Sequence, residues 1–86
     1  MIMKITKKVY RIMYLISVGM TSLDRLSAIL KKSEGEVEKE VLGMLNASLV
    51  DIEYREGKIY GFLLTSEGKQ ILNDKKYGKW FIEFGD

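Results

Sequence analysis

The chain has 86 residues, 47% hydrophobic and 30% charged, with a formal net charge of +2; that is the size and balance of one small globular domain. It contains no cysteine, histidine or proline, which excludes disulfides, thiol catalysis, histidine general-base chemistry and the usual zinc sites. Serine, lysine or carboxylate catalysis stays open on composition, but no nucleophile–base pair, metal cluster or phosphate loop stands out, so the sequence points to no enzyme, metal or cofactor.

No apolar run approaches the ~20 residues of a membrane-spanning helix. The start, Met1 to Lys8, carries lysines inside its apolar stretch and lacks the order of a secretory signal. The expectation is therefore a cytoplasmic protein without a membrane partner, nucleoid-associated if it binds DNA. The small net charge hides a segregation. Residues 1–33 hold seven basic side chains against Asp24, residues 34–56 hold two against seven acids, and residues 57–86 are nearly balanced. Such asymmetry predicts either a polarised surface for nucleic acid or a partner, or two segments that neutralise each other in the fold.

In chain order, Ile5, Val9, Ile12, Met13 and Ile16 recur at helical spacing and predict a first helix over 4–17. Lys4, Lys7, Lys8 and Arg11 fall on its opposite side, and Gly19 breaks it. Thr21, with Asp24 three residues on, has the look of a capping box for a second helix over 22–31, which buries Leu23, Leu26, Ile29 and Leu30. After the Lys31-Lys32 turn, Ser33 and Glu36 form a further box for a third helix over 34–47, with Val37, Val41, Met44, Leu45 and Ser48 on one face.

The period then changes to two. Val50, Ile52 and Tyr54 alternate with Asp51, Glu53 and Arg55, and Glu56-Gly57 is a two-residue turn, so 49–64 reads as a hairpin. Folding it there pairs Arg55 with Lys58, Tyr54 with Ile59, Ile52 with Gly61 and Val50 with Leu63. Val50, Ile52, Tyr54, Ile59 and Leu63 then share a face. Thr65 caps a fourth helix over 66–76, with Ile71 and Leu72 inward. Trp80, Ile82 and Phe84 alternate with Phe81 and Glu83, which reads as a short final strand in an apolar tail over 79–84. The fold class expected is α+β: a three-helix core, a two-stranded β-hairpin wing, a C-terminal helix and a tail, in one domain spanning 1–86. This is the order of a winged helix-turn-helix.

The stretches TSLDRLSAIL, SEGEVEKEVLGMLNASLVDIEY and REGKIYGFLLTSEGKQIL, within Thr21 to Leu72, resemble the winged-helix domains of small prokaryotic transcription regulators, the broad MarR, ArsR and PadR-like group, with archaeal and archaeal-virus versions nearest. The ending, strand–charged turn–strand followed by L-T-x-x-G-K, carries most of the likeness. The resemblance implies duplex DNA binding and transcription regulation, with the third helix in the major groove and the wing on the backbone or minor groove. Many relatives have glycine in the turn before the third helix and just before the first wing strand, where this chain has Lys31-Lys32 and Ser48. Metal sensing is not implied, because its ligands are missing.

On the third helix, the side opposite the core shows Gly35, Glu36, Lys39, Gly43 and Asn46. Gly43 permits close approach, Lys39 and Asn46 suit guanine and adenine edges, and Glu36 suits cytosine. Against this, Glu34, Glu36, Glu38 and Glu40 outweigh Lys39, and phosphates repel such a helix. The alternative reading is a winged-helix protein-interaction module that uses this acidic helix and binds no DNA.

Arg55 and Lys58, opposite one another at the wing tip, are like charges that a phosphate between them would relieve; in the bland reading they only solubilise the tip. Lys31, Lys32 and Ser33 can hold phosphates at the helix start or pair with Glu34 and Glu36. Tyr10 and Tyr14, one turn apart, and the tail residues Trp80, Phe81 and Phe84 are the candidate homodimer interface; the bland reading is completion of the monomer core. If Lys31, Lys32, Arg55 and Lys58 of two subunits all touch phosphates, the log–log salt slope is about −7.

Overall fold

The computed structural model describes residues 4–85; Met1 to Met3 and Asp86 lie outside them. Among the described residues the fold is α+β: five α-helices, one short 3-10 turn and one two-stranded antiparallel sheet. None of these helices is long and apolar enough to cross a membrane.

Helix α1 (Lys7–Ser17) starts later than its apolar spacing predicts. Thr6 is extended, and its hydroxyl accepts from the Val9 amide at 3.2 Å, so the helix begins one residue beyond this cap. Val9, Ile12, Met13 and Ile16 are buried as predicted, and Tyr10 is buried with them. Gly19, at φ +102°, takes the chain out of the helix where a side chain would be strained.

The capping box expected at Thr21 does not form. Helix α2 (Leu23–Leu30) has Ser22 at its N-cap, without a side-chain cap bond. The Thr21 carbonyl instead accepts from the Phe62 amide at 2.9 Å. Lys31, left-handed at φ 56°, ends α2, and α3 (Glu34–Asn46) follows after two residues. The Ser33 hydroxyl accepts from the Glu36 amide at 3.2 Å, as the box at that point predicts. Val37, Val41 and Met44 are buried; Ser48 lies beyond the helix and is exposed.

Strands β1 (Val50–Arg55) and β2 (Lys58–Leu64) form the hairpin. Glu56 and Gly57 both have positive φ, the requirement of a twisted two-residue turn. The predicted register holds at Arg55↔Lys58 and Tyr54↔Ile59 and fails beyond. A bulge at Glu53/Tyr54 leaves Tyr60 without a partner, so Ile52 pairs with Phe62 and Val50 with Leu64. In consequence Phe62, not Leu63, joins the core, and Tyr54 and Leu63 are both exposed. Gly61 sits at the shifted position, where a Cβ would stand 3.1 Å from the Thr21 oxygen.

Helix α4 (Ser66–Leu72) is shorter than predicted, because Asn73 caps it and a 3-10 turn over Lys75–Tyr77 follows. Thr65 joins three segments. Its hydroxyl donates to the Ser48 carbonyl at 2.6 Å and accepts from the Gly68 amide at 3.0 Å, and its own amide reaches the Leu49 carbonyl at 3.2 Å. Gly68 faces that Leu49 carbonyl and the Leu64 side chain with no room for a Cβ. The T-x-x-G spacing thus docks α4 on the turn between α3 and β1.

The tail is not a strand. Residues 78–85 form α5 (Gly78–Gly85), packed on α1. Tyr77, Trp80, Phe81 and Phe84 are three and four apart and lie along one helical side, and that side meets Tyr10 and Tyr14. Trp80 and Phe84 sit 5.7 and 6.2 Å from the Tyr10 ring, and Phe81 meets Tyr14 edge-on at 5.7 Å. A strand would have put alternate apolar groups in water; the helix spends most of them on α1.

Candidate nucleic-acid interface

The turn between α2 and α3 is rigidly held. The Lys31 and Lys32 amides both turn back to the Ser27 carbonyl, and the Ser27 hydroxyl donates to the Lys32 carbonyl at 2.5 Å. Lys31 and Ser33 are exposed, and Lys32 is half-buried. Burying Val37, Val41 and Met44 turns the opposite side of α3 outward. Gly35, Glu36, Lys39 and Asn46 are exposed there, with Gly43 half-buried on one flank. Leu42, 40% exposed, lies on the same outer side.

The acidity of α3 is partly answered from another helix. The Lys8 ammonium of α1 donates to Glu40 Oε1 at 3.2 Å. Lys8, Lys32, Glu36, Lys39, Glu40 and Gly43 line a shallow cleft of about 330 Å³ along this flank. Three cations from α1, the turn and α3 therefore stand against two carboxylates. Lys8 and Lys32 also adjoin. The adjoining Lys32, then Glu40, holds Lys8 above the ordinary lysine range. The adjoining Lys8, then desolvation, pushes Lys32 down. A pair of crowded ammonium groups attracts an anion. The sequence places Lys8 only on the basic side of the first helix; its reach to α3 depends on how α1 crosses the bundle, which periodicity does not show.

The wing tip differs from its expected form. Arg55 does face Lys58 across the strands, but its charge is already engaged. Its Nε and Nη2 donate to Glu53 Oε2 at 3.3 and 3.2 Å, and its guanidinium lies 3.7 Å from the Tyr60 ring centroid. The repulsion thought to need a phosphate is thus relieved within the hairpin. The bulge that frees Tyr60 creates this stack. Lys58 is exposed and makes no ion pair among the described residues.

The expected dimer patch is also rearranged. Tyr10 is fully buried, and its hydroxyl donates to the Leu72 carbonyl at 2.6 Å, so it is unavailable to a partner. Tyr14, Trp80 and Phe84 are half-buried under the α1–α5 contact. The outer side of α5 still presents Ile82, 68% exposed, and Phe81, at the edge of the contact with Tyr14, keeps 42% of its surface exposed beside it. The helical spacing 77, 80, 81, 84 was the signal for this packing.

Among the described residues no three acidic side chains gather as a metal site requires. Comparison of the chain with family models, with curated proteins and with solved structures finds no match.

Proposed function

We propose that the chain is a winged helix-turn-helix protein that binds duplex DNA as a homodimer and regulates transcription. Helix α3 enters the major groove with Lys39, Asn46 and Glu36 towards base edges. Lys31, Lys32 and Ser33 at its start and Lys58 on the wing contact phosphates. Arg55, braced by Glu53 and Tyr60, acts as a positioned contact at the wing tip rather than a free cation. Two copies join through Phe81 and Ile82 of α5, which sets half-sites about one helical turn, ~34 Å, apart.

The convergence of Lys8, Lys32 and Lys39 on the exposed flank of α3 carries this reading. It offsets the glutamates that otherwise make the helix a poor match for a phosphate-lined groove. The test is fluorescence anisotropy of a labelled duplex pool against salt. With about eight phosphate contacts per dimer the log–log slope is about −7, and Lys32→Ala reduces its magnitude by about 2. No duplex binding at low salt, or a slope near zero, overturns the reading.

A further inference from the structure

A second cleft, of about 670 Å³, lies between α1, the end of α2 and α5. Its polar lining is almost entirely cationic: Lys7, Lys8, Arg11 and Lys32, with Glu83 the single carboxylate. Lys7 is taken by Glu83 at 2.6 Å, and Lys8 by Glu40. Arg11 and Lys32 have no ion-pair partner among the described residues. The rest of the lining is Tyr14 and the apolar Leu15, Leu30 and Phe84, each half-buried, so part of their surface is left to the cleft.

We propose that this cleft binds a small anionic amphiphile, a single carboxylate or phosphate head on an apolar body, one per chain. The head pairs with Arg11 and Lys32, and the body covers Leu15, Leu30 and Phe84. Size and character agree: small-ligand sites run from about 300 to 1,000 Å³, mostly apolar with a few polar groups that fix orientation. An inorganic anion leaves the apolar lining wet. A neutral hydrocarbon leaves the two unpaired cations, Arg11 and Lys32, uncompensated. An amphiphilic anion satisfies both, and Arg11 offers the planar donor fork that suits either head group. The site shares Lys8 and Lys32 with the proposed DNA interface, but its ligand binding is measured without DNA and does not depend on that reading.

The test is a heteronuclear NMR titration of the full chain with monomeric sodium decanoate. Decan-1-ol, inorganic phosphate and anionic phospholipid vesicles are the comparison arms. Decanoate is expected to saturate at one equivalent, with the largest shifts at Leu15, Leu30, Lys32 and Phe84, and to bind about tenfold tighter than decan-1-ol or phosphate. The double variant Arg11→Gln/Lys32→Gln weakens it about tenfold, Arg11→Lys keeps the charge but loses the donor fork and falls between the double variant and the parent, and Lys69→Gln on α4 leaves it unchanged. Absence of saturable binding, equal affinity for decan-1-ol, shifts centred on Phe81 and Ile82, equal loss in Lys69→Gln, or binding to vesicles alone overturns the proposal.

Discussion

The Tyr10 hydroxyl donates to the Leu72 carbonyl oxygen at 2.6 Å, across 62 residues of chain, and joins the first helix to the end of the fourth. It is a buried bond between an α1 side chain and the last turn of α4, under the lid formed by Tyr77, Trp80 and Phe84. Tyr10→Phe keeps the ring and removes the donor. Equilibrium urea unfolding is expected to show a loss of about 1–2 kcal/mol.

The same phenol makes stability sensitive to alkali. Burial, and then the neighbouring Tyr14, raise its pKa above the ordinary tyrosine value of about 10. Above that pH the unfolded chain gives up this proton more readily than the folded one. The contribution is therefore complete below pH ~10 and is lost as pH rises through the folded-state value. Tyr10→Phe should flatten the alkaline decline; an unchanged decline assigns it to other groups.

Ser48 occupies the left-handed region at φ +62° without the freedom of glycine. Ser48→Gly relieves about 1–2 kcal/mol of strain and loses part of that to unfolded-chain entropy. The net expectation is a gain of about 0.5–1 kcal/mol, read as a rise of a few degrees in the thermal midpoint. Gly68→Ala tests the neighbouring contact in the opposite sense. Alanine favours the helix, but its methyl meets the Leu49 carbonyl, so a loss of about 1–3 kcal/mol is expected.

Helix α5 combines a structural side and an outward one. Trp80 stacks on Tyr77 at 5.4 Å and leans on Tyr10, so Trp80→Ala should cost about 2–3 kcal/mol. Ile82→Ser removes the more exposed member of the outward pair, 68% exposed, and should leave the unfolding midpoint nearly unchanged, whereas adding Phe81→Ser also removes the edge-on contact with Tyr14 and should lower stability by about 1 kcal/mol. If the proposed dimer forms through this side, sedimentation equilibrium of the double variant will show monomer where the parent shows dimer.

Glu38 makes no ion pair among the described residues and stands one turn from Glu34. Glu38→Gln removes a like-charge neighbour and a repulsion towards phosphate. Duplex affinity at low salt is expected to rise several-fold, with the gain shrinking at high salt. A fall in affinity would assign Glu38 a direct contact.

Much of the architecture was legible because local signals agreed. Ser33 with Glu36, Thr65 with Gly68, and Glu56 with Gly57 each mark a boundary by a bond or a backbone angle that few residues supply. The errors lie where two periods fit one segment or where pairing decides. Residues 77 to 84 satisfy both alternation and helical spacing, and only the tyrosine ridge on α1 selects the helix. The bulge at Glu53/Tyr54 shifts every pair beyond Tyr54↔Ile59 and brings Phe62 against the Thr21 carbonyl, and no alternation in the strand sequence marks it, so the wing face was misassigned. For the interface, the side of α3 followed from its angular pattern. The reach of Lys8 and the bracing of Arg55 are tertiary, and no spacing along the chain encodes them.

The backbone clasp from Phe62 to Thr21 also limits how this chain can vary in length. Adding or deleting a residue between Gly19 and Ser22 would drag the hairpin with it, whereas the Glu56-Gly57 tip, where a Cβ on Gly57 would meet nothing within 4 Å beyond its chain neighbours, is open. Insertions, tags or grafted loops therefore belong at the tip. There the ribbon can lengthen without altering the angle at which α2 leaves the preceding loop.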